Sequence, residues 1–223
     1  MSDTLSLQTA NSLLKIKSVL LNTEEPFTLT SGRQSPVYID GRRLISYPKE
    51  RQEIMDGAVA RLQKSDALNG VEFIAGGETA GIPYAAWIAE RLDLPMLYVR
   101  KSPKKFGRMA QIEGCFDQGQ KVLLVEDLTT DGGSKIVFCD VLRKAGAEIT
   151  DVFSIFYYDI FEKSASLFDD AGLKLHYLTT WWDILAEARR ENLLDTKALD
   201  EVERFLKNPE TWTPNNQEKE IGS

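Results

Sequence analysis

Short apolar runs alternate with helical stretches through the middle of the chain. The runs occupy residues 73–75, 96–99, 122–125, 152–157 and 176–178, with helical spacing in 82–92 and 133–145. Strands that are apolar at successive positions are buried on both faces, as in a parallel sheet covered by helices. The alternation therefore predicts an α/β fold with a central, mostly parallel sheet of about five strands flanked by helices.

The two ends of the chain lie outside this alternation. Apolar residues from Ala10 to Leu20 recur at helical spacing and predict an amphipathic first helix. Extended segments at 27–29 and 37–40, joined by a turn-rich segment, predict a hairpin. Pro48 suits the first turn of a helix. We expect three parts: an N-terminal helix and hood (1–45), a core (46–190), and a C-terminal helix with a polar tail (191–223).

Composition argues against several classes of function. The net charge of −7 and the pI of about 5.0 disfavour nucleic acid as a partner. Cys115, Cys139 and the single histidine, His176, lack the spacing of zinc ligands. The N-terminus has no signal-peptide pattern, and no run approaches the roughly 18 apolar residues of a membrane span. We therefore expect a reduced cytoplasmic protein without a membrane partner.

The most informative segment is 122–134, VLLVEDLTTDGGS. An apolar strand ends in two adjacent acids, and a turn rich in glycine and hydroxyl groups then opens a helix. Glycines let backbone N–H groups approach a phosphate, and a helix N-terminus favours an anion. The acids suit the vicinal hydroxyls of a sugar. The order of groups predicts a ligand with a phosphate at one end and a diol in the middle.

This segment resembles the phosphoribosyl pyrophosphate signature of type I phosphoribosyltransferases. The resemblance implies that one continuous stretch binds phosphoribosyl pyrophosphate. Its residues are Glu126, Asp127, Leu128, Thr129, Thr130, Asp131, Gly132, Gly133 and Ser134. The signature usually has a small residue in place of Asp131, whose carboxylate would repel a phosphate. We expect this side chain to point away while its backbone N–H serves the phosphate.

Three further segments are similar to orotate phosphoribosyltransferases in particular. Residues 27–38 (FTLTSGRQSPVY) match their N-terminal segment, 75–83 (AGGETAGIP) their pyrophosphate loop, and 100–107 (RKSPKKFG) the start of their mobile catalytic loop. The resemblance extends from about residue 10 to residue 187. It implies the type I phosphoribosyltransferase fold. It also implies transfer of ribose 5-phosphate from phosphoribosyl pyrophosphate to orotate, giving orotidine 5′-phosphate and pyrophosphate.

The third segment concentrates positive charge in an acidic protein. Five cations stand within nine residues: Arg100, Lys101, Lys104, Lys105 and Arg108. Such groups can neutralise the charge that grows on departing pyrophosphate. The resemblance implies that Lys104 is the central catalytic lysine, assisted by Lys101 and Arg100. It also implies a homodimer whose loops close over the neighbouring subunit's site, and a Mg²⁺ ion carried by the pyrophosphate and ribose hydroxyls.

Two departures concern orotate and the catalytic loop. Phe106 stands where the family often has a histidine, and the 157–160 segment (YYDI) lacks the family's arginine near the orotate carboxylate. The carboxylate partner is then Arg33, Thr30, Thr130 or backbone N–H groups of the hairpin. We predict that Tyr38, Thr130 and Arg33 bind orotate, with Tyr38 stacking on the pyrimidine.

Two alternative functions stay open at this point. Another base could be the acceptor, in which case the missing arginine records that change. The chain could also be a non-catalytic sensor of phosphoribosyl pyrophosphate, although it has neither a basic face nor a DNA-binding motif. His176 is interpreted as a packing residue, and Thr180 or Asp183 as the cap of a following helix.

Overall fold

The structure is a computed structural model that describes residues 3–28, 32, 34–103, 111–193 and 195–213. Within these residues the strands are β1 Val19–Leu21, β2 Phe27–Thr28, β3 Gln34–Ser35, β4 Val37–Ile39, β5 Phe73–Gly77, β6 Met96–Val99, β7 Ile112–Glu113, β8 Lys121–Thr129, β9 Glu148–Tyr157 and β10 Lys174–Thr180. The helices are α1 Thr4–Lys15, α2 Pro48–Gln63, α3 Gly81–Leu92, α4 Gly133–Lys144, α5 Glu162–Asp170, α6 Trp181–Arg190 and α7 Thr196–Lys207. Short 3₁₀ segments span Gly41–Ser46 and Asp66–Leu68.

The central sheet confirms the predicted α/β fold. Its six strands lie in the order β10-β9-β8-β5-β6-β7, and every pair is parallel except β6 with β7. The predicted five parallel strands are all present, and β7 adds an antiparallel edge in a segment for which no strand was predicted. Strand β8 occupies the middle of the sheet. The carboxyl end of β8 is therefore the natural position for a ligand site.

Burial on both faces explains the unbroken apolar runs. Along β8, Leu123 and Val125 join a hydrophobic cluster that includes α1, α2, α3 and α6. Val122 and Leu124 join a second cluster that includes α4 and α5. Successive side chains of a strand point to opposite faces, so both faces of β8 need apolar residues. None of the described helices is long and apolar enough to cross a membrane.

Two predictions near the N-terminus are wrong. The first helix ends at Lys15, because Lys17 takes a left-handed φ of 56°, and the apolar residues that follow form β1 instead. Strand β1 pairs antiparallel with β4, while β2 pairs with β3. The hairpin is therefore built from β2 and β3, and the predicted extended segment at 37–40 pairs with a different strand.

Two smaller features agree with expectation. Thr180 and Asp183 form a reciprocal capping box at the start of α6, so both candidate residues take part in the cap. His176 is largely buried, and its Nε2 lies 2.7 Å from an Asp151 carboxylate oxygen on the neighbouring strand. Such a pair fixes β10 against β9, which is consistent with a packing role.

Candidate active site

A cavity of about 560 Å³ opens at the carboxyl ends of the central strands. Its walls come from β4 and the 3₁₀ segment after it, the loop after β5, the end of β8 and the start of α4. Residues on these walls include Tyr38, Glu78, Lys101, Glu126, Asp127 and Ser134. The cavity therefore brings together residues from all four segments that the sequence singled out.

Strand β8 delivers the two adjacent acids to this cavity. Glu126 is 5% exposed and Asp127 is 8% exposed, and both belong to the strand, which runs four residues further than predicted. Glu126 faces α4, where its Oε2 lies 3.2 Å from Lys135 Nζ. Asp127 faces the N-terminal part, because a Cβ on Gly41 would lie 3.2 Å from its Oδ2. The two carboxylates thus occupy opposite sides of one strand end.

Burial dominates the electrostatics of both acids. Loss of water raises the pKa of the Glu126 carboxyl, while the Lys135 ammonium lowers it and the neighbouring Asp127 raises it further. Burial likewise raises the pKa of Asp127, opposed chiefly by Lys135, then by hydrogen bonds from the backbone N–H groups of Leu128 and Asp127, and more weakly by Arg42. The site therefore depends on nearby cations to keep its carboxylates charged.

Glycines of the predicted pyrophosphate loop make room for Glu126. A Cβ on Gly77 would lie 1.8 Å from Glu126 Oε1, and one on Gly81 would lie 2.8 Å from the same atom. A Cβ on Gly76 would lie 2.9 Å from the backbone of α3. These glycines are thus needed for close packing of β5, α3 and the acid, whatever ligand the loop binds.

The turn after β8 has the geometry of an anion-binding loop. Gly132 has a φ of 94°, and a Cβ there would also collide with Phe168, so only glycine fits. The hydroxyl of Thr129 is buried and hydrogen-bonded to Ser154 at 2.5 Å. It therefore faces β9, where either of the two hydroxyls can be the donor of this bond.

The expected outward orientation of Asp131 is wrong. Its Oδ1 accepts the backbone N–H of Gly133 at 3.1 Å, although the residue as a whole is exposed. This carboxylate satisfies a donor at the helix N-terminus in the way an anion would. A phosphate that binds the turn must therefore compete with Asp131 for that N–H group.

The catalytic-loop residues are only partly described. Lys101 lines the cavity, and its backbone N–H donates to Glu78 Oε2 at 2.8 Å, which ties the loop start to the loop after β5. Arg100 is turned toward β7, with its Nη1 3.8 Å from Glu113 Oε1, and does not line the cavity. Lys104 lies outside the described residues.

The residues predicted to bind orotate are also only partly described, and only one of them lies on the cavity wall. Tyr38 lines the cavity, with its ring centroid 5.8 Å from that of Phe27. Thr130 is not part of the cavity wall, and its carbonyl accepts from the Ser164 hydroxyl at 3.4 Å. Arg33 lies outside the described residues, as does Thr30.

Two cationic residues of the cavity wall were not predicted from the sequence. Lys135 is buried beside Glu126, and Arg42 stands at the rim with its Nε 2.8 Å from Asp40 Oδ1. Lys135 directly follows the signature, so a helical projection of α4 could have found it. No sequence pattern predicts the position of Arg42, because it depends on how the N-terminal part packs against β8. A hydrogen bond of 2.7 Å from the Tyr84 hydroxyl to the Gly41 carbonyl stabilises this packing.

Comparison with known proteins decides the family. No protein-family model matches the chain. Over 208 residues it is 53% identical to orotate phosphoribosyltransferase of Ruegeria sp. (strain TM1040), a match that covers 93% of this chain and 92% of that one. The chain belongs to the orotate phosphoribosyltransferase family. It is therefore a transferase, one of the enzymes that make orotidine 5′-phosphate from orotate and phosphoribosyl pyrophosphate in pyrimidine biosynthesis.

Solved structures agree with this family and with its fold. Orotate phosphoribosyltransferase from Aeropyrum pernix superposes with a TM-score of 0.70 at 29% identity, over 83% of this chain and 99% of that one. UMP synthase of Leishmania donovani superposes with a TM-score of 0.77 at 26% identity. That match covers 90% of this chain and 42% of the longer protein. The family and the type I phosphoribosyltransferase fold predicted from the sequence are both confirmed.

The family's missing arginine is replaced by core residues. Tyr158 is buried, with its ring 5.6 Å from Trp181 and stacked at 6.1 Å on Phe161. Asp159 follows with a left-handed φ of 51°. This segment therefore serves packing, and the cation nearest in the sequence, Lys163, has a side chain outside the described part. Within the described residues, no group of three or more His, Cys, Asp and Glu side chains could hold a metal ion.

Proposed function

We propose that the cavity is the active site of this orotate phosphoribosyltransferase. One observation carries the proposal: the two acids of the signature line the same cavity as Lys101 and the loop after β5. Donor and acceptor must meet in one water-poor space for the transfer, because water would intercept an oxocarbenium-like ribose. The cavity at the end of β8 gives the two substrates one space in which to meet.

Phosphoribosyl pyrophosphate is placed with its ribose over β8. The ribose hydroxyls donate to Glu126 and Asp127, which are acceptors while charged. Backbone N–H groups of the turn from Thr130 to Ser134, including those of Gly132 and Gly133, take the 5-phosphate at the N-terminus of α4. Leu128 and Thr129 support this arrangement from the strand, the latter through its bond with Ser154.

The departing pyrophosphate then lies toward the loop after β5. Lys101 stands on that wall, and the bond of its N–H group to Glu78 joins the two loops that would enclose the leaving group. Lys104 closes from the neighbouring subunit of a homodimer and neutralises the growing charge. Arg100 supports the loop from its contact with β7.

A magnesium ion completes the charge balance. The resemblance to orotate phosphoribosyltransferases implies an ion that the substrate carries. Magnesium commonly keeps waters and binds phosphate oxygens, so we assign it to the pyrophosphate and the ribose hydroxyls, with no protein ligand. When bound, the ion neutralises charge on the pyrophosphate as it leaves.

Orotate is placed between the ribose and the N-terminal part. Tyr38 supplies a stacking face, with Thr130 and Arg33 as the predicted polar partners. Arg42 joins them as a cation on the cavity wall, and it can meet the orotate carboxylate if it exchanges Asp40 for the ligand.

Cytoplasmic location is consistent with the two free cysteines, Cys115 and Cys139.

Substrate competition tests this assignment. Turnover of orotate, uracil, hypoxanthine and adenine is compared on one preparation, with phosphoribosyl pyrophosphate and Mg²⁺. The proposal expects orotate to be the preferred acceptor. Preference for another base would show that the missing arginine records a change of acceptor. Absence of turnover with every base, despite binding of phosphoribosyl pyrophosphate, would favour a non-catalytic sensor.

The loop lysine is tested separately. Lys104→Ala is expected to abolish most turnover while phosphoribosyl pyrophosphate affinity falls modestly, because Lys104 acts on the leaving group. Unchanged turnover would remove Lys104 from the mechanism. Mixing Lys104→Ala with an Asp127→Asn variant tests the shared loop, since a mixed dimer regains one intact site only if loops cross between subunits.

A further inference from the structure

Lys135 is a buried cation on the wall of the proposed active site. It is the third residue of α4, it is 8% exposed, and it lines the cavity beside Glu126. Its Nζ lies 3.2 Å from Glu126 Oε2 and donates to Ser134 Oγ at 3.2 Å. Lysine is almost never buried unless it is paired, so this pair defines the position of both side chains.

Glu126 has few other means of staying charged. Within the described residues, its Oε1 is buried against Gly77 and Gly81 without a hydrogen bond of acceptable geometry. Lys135 is the cation that contacts its carboxylate. The ion pair also leaves acceptor capacity, because a carboxylate has about four lone-pair sites and the ammonium uses one or two.

We propose that Lys135 is a positioning residue for the transfer reaction, which holds the Glu126 carboxylate charged and oriented to accept the ribose hydroxyls. This inference rests on the proposed binding of ribose by Glu126. A protonated Glu126 would present an O–H donor where the ribose hydroxyls need an acceptor. Lys135 thus controls the protonation state of Glu126, on which phosphoribosyl pyrophosphate binding depends.

The other groups that face Glu126 cannot replace Lys135. Asp127 on the same strand repels its charge, and the Cys139 thiol on α4 stays neutral because burial raises its pKa to about 12. On the N-terminal side, Arg42 lowers the pKa of Asp127, as Lys135 does more strongly, and neither Arg42 nor the Tyr84 hydroxyl is a cause of the pKa shift of Glu126. Removal of Lys135 therefore leaves burial and Asp127, both of which raise the pKa of Glu126, opposed only by the smaller effect of the Gly77 backbone N–H.

The pH dependence of phosphoribosyl pyrophosphate affinity tests this role. Calorimetric titrations with Mg²⁺ run from mildly acidic to mildly alkaline pH on wild type, Lys135→Met, Lys135→Arg and Glu126→Gln. In Lys135→Met, the pH below which affinity is lost is expected to move upward relative to wild type, because the cation that opposes protonation of Glu126 is gone. At alkaline pH its affinity should approach that of wild type, and Lys135→Arg should restore the wild-type profile.

Two further variants serve as controls. Lys144→Met removes an exposed lysine from the other end of the same helix and should leave the profile unchanged. Because loss of one partner destabilises a buried ion pair, Lys135→Met/Glu126→Gln removes both charges. If Lys135 acts through Glu126, this double variant binds like Glu126→Gln alone at alkaline pH, where Asp127 stays charged without Lys135.

The outcomes distinguish a failure of the Lys135 role from a failure of the proposed contact between Glu126 and the ribose. Weaker binding of Lys135→Met by the same factor at every pH would overturn the inference, because it would indicate direct ligand contact or a general structural loss. Additional loss in the double variant beyond Glu126→Gln at alkaline pH would overturn it too. Wild-type affinity in Glu126→Gln would instead reject the proposed ribose contact itself.

Discussion

Gly77→Ala is a severe test of how the active site is packed. An added Cβ would lie 1.8 Å from Glu126 Oε1 and 2.5 Å from a ring carbon of Phe138. Cβ atoms essentially never come within 3.0 Å of a neighbour, so the carboxylate oxygen must withdraw by about 1.2 Å, the difference between 3.0 and 1.8 Å. The Lys135 pair at 3.2 Å cannot keep its geometry after such a shift.

The expected result has two parts. Overpacking at a buried strand costs typically 1–3 kcal/mol, so the free energy of unfolding should fall by about that amount. Displacement of an acid that accepts charged-group hydrogen bonds should weaken phosphoribosyl pyrophosphate binding by about tenfold or more. Urea denaturation measures the first quantity, and calorimetric titration with Mg²⁺ measures the second.

Gly57→Ala is the matched control for this prediction. Its Cβ would also be close to a neighbour, 2.6 Å from Leu5 Cδ1, but that atom ends a flexible side chain far from the cavity. Alanine also favours the interior of helix α2 by up to about 1 kcal/mol. Stability should change little and affinity not at all. If Gly77→Ala kept both wild-type stability and wild-type affinity, the described packing of Glu126 would be wrong.

Three other substitutions test separate parts of the structure. Asp131→Asn should increase phosphoribosyl pyrophosphate affinity by about two- to fivefold in calorimetry, because a charge that competes for the Gly133 N–H is removed. Arg42→Ala should raise the KM for orotate by about tenfold in steady-state kinetics, because the cation proposed to meet the orotate carboxylate is removed. Glu187→Gln should make the free energy of unfolding depend less steeply on pH in the acid range. Hydrogen bonds from Arg190 lower the pKa of Glu187 below 4.5. The charged Glu187 therefore stabilises the fold above that pH, and this contribution is lost as the pH falls.

Each of these predictions has a nearby control. Asp140→Asn changes an exposed carboxylate on the same helix as the turn and should not alter affinity. Arg43→Ala removes the neighbouring arginine, whose Nε donates to the Ile16 carbonyl, and should not change the KM for orotate. Glu191→Gln removes an exposed acid near Arg190 and should leave the acid slope intact. Equal effects in variant and control would contradict the assigned roles.

The sequence predicts the sheet well because its strands are buried on both faces. Their apolar runs are too short to form helices. Because helical stretches alternate with them, the strands are expected to lie parallel in one sheet. The segment from Val19 to Leu21 was misassigned, since a short apolar run after a helix fits either period. Helix α5 was missed because it is only nine residues long, EKSASLFDD, and carries just three apolar residues, Ala165, Leu167 and Phe168.

The site was predictable where one segment carries several groups. Glu126 and Asp127 reach the cavity because they end a central strand, a place that the motif itself specifies. Lys135 and Arg42 were missed because their roles depend on which elements meet at the cavity, and no local pattern encodes that meeting. The reversed expectation for Asp131 has a local cause: an aspartate before a helix bonds its own turn readily.

The central claim is that the paired acids at the end of β8 bind the ribose of phosphoribosyl pyrophosphate. Titration with this ligand and Mg²⁺ compares wild type with Glu126→Gln/Asp127→Asn, which keeps the shape of both side chains. Loss of two charge-assisted hydrogen bonds predicts an affinity lower by roughly two to four orders of magnitude. Equal affinities in a folded variant would contradict the claim.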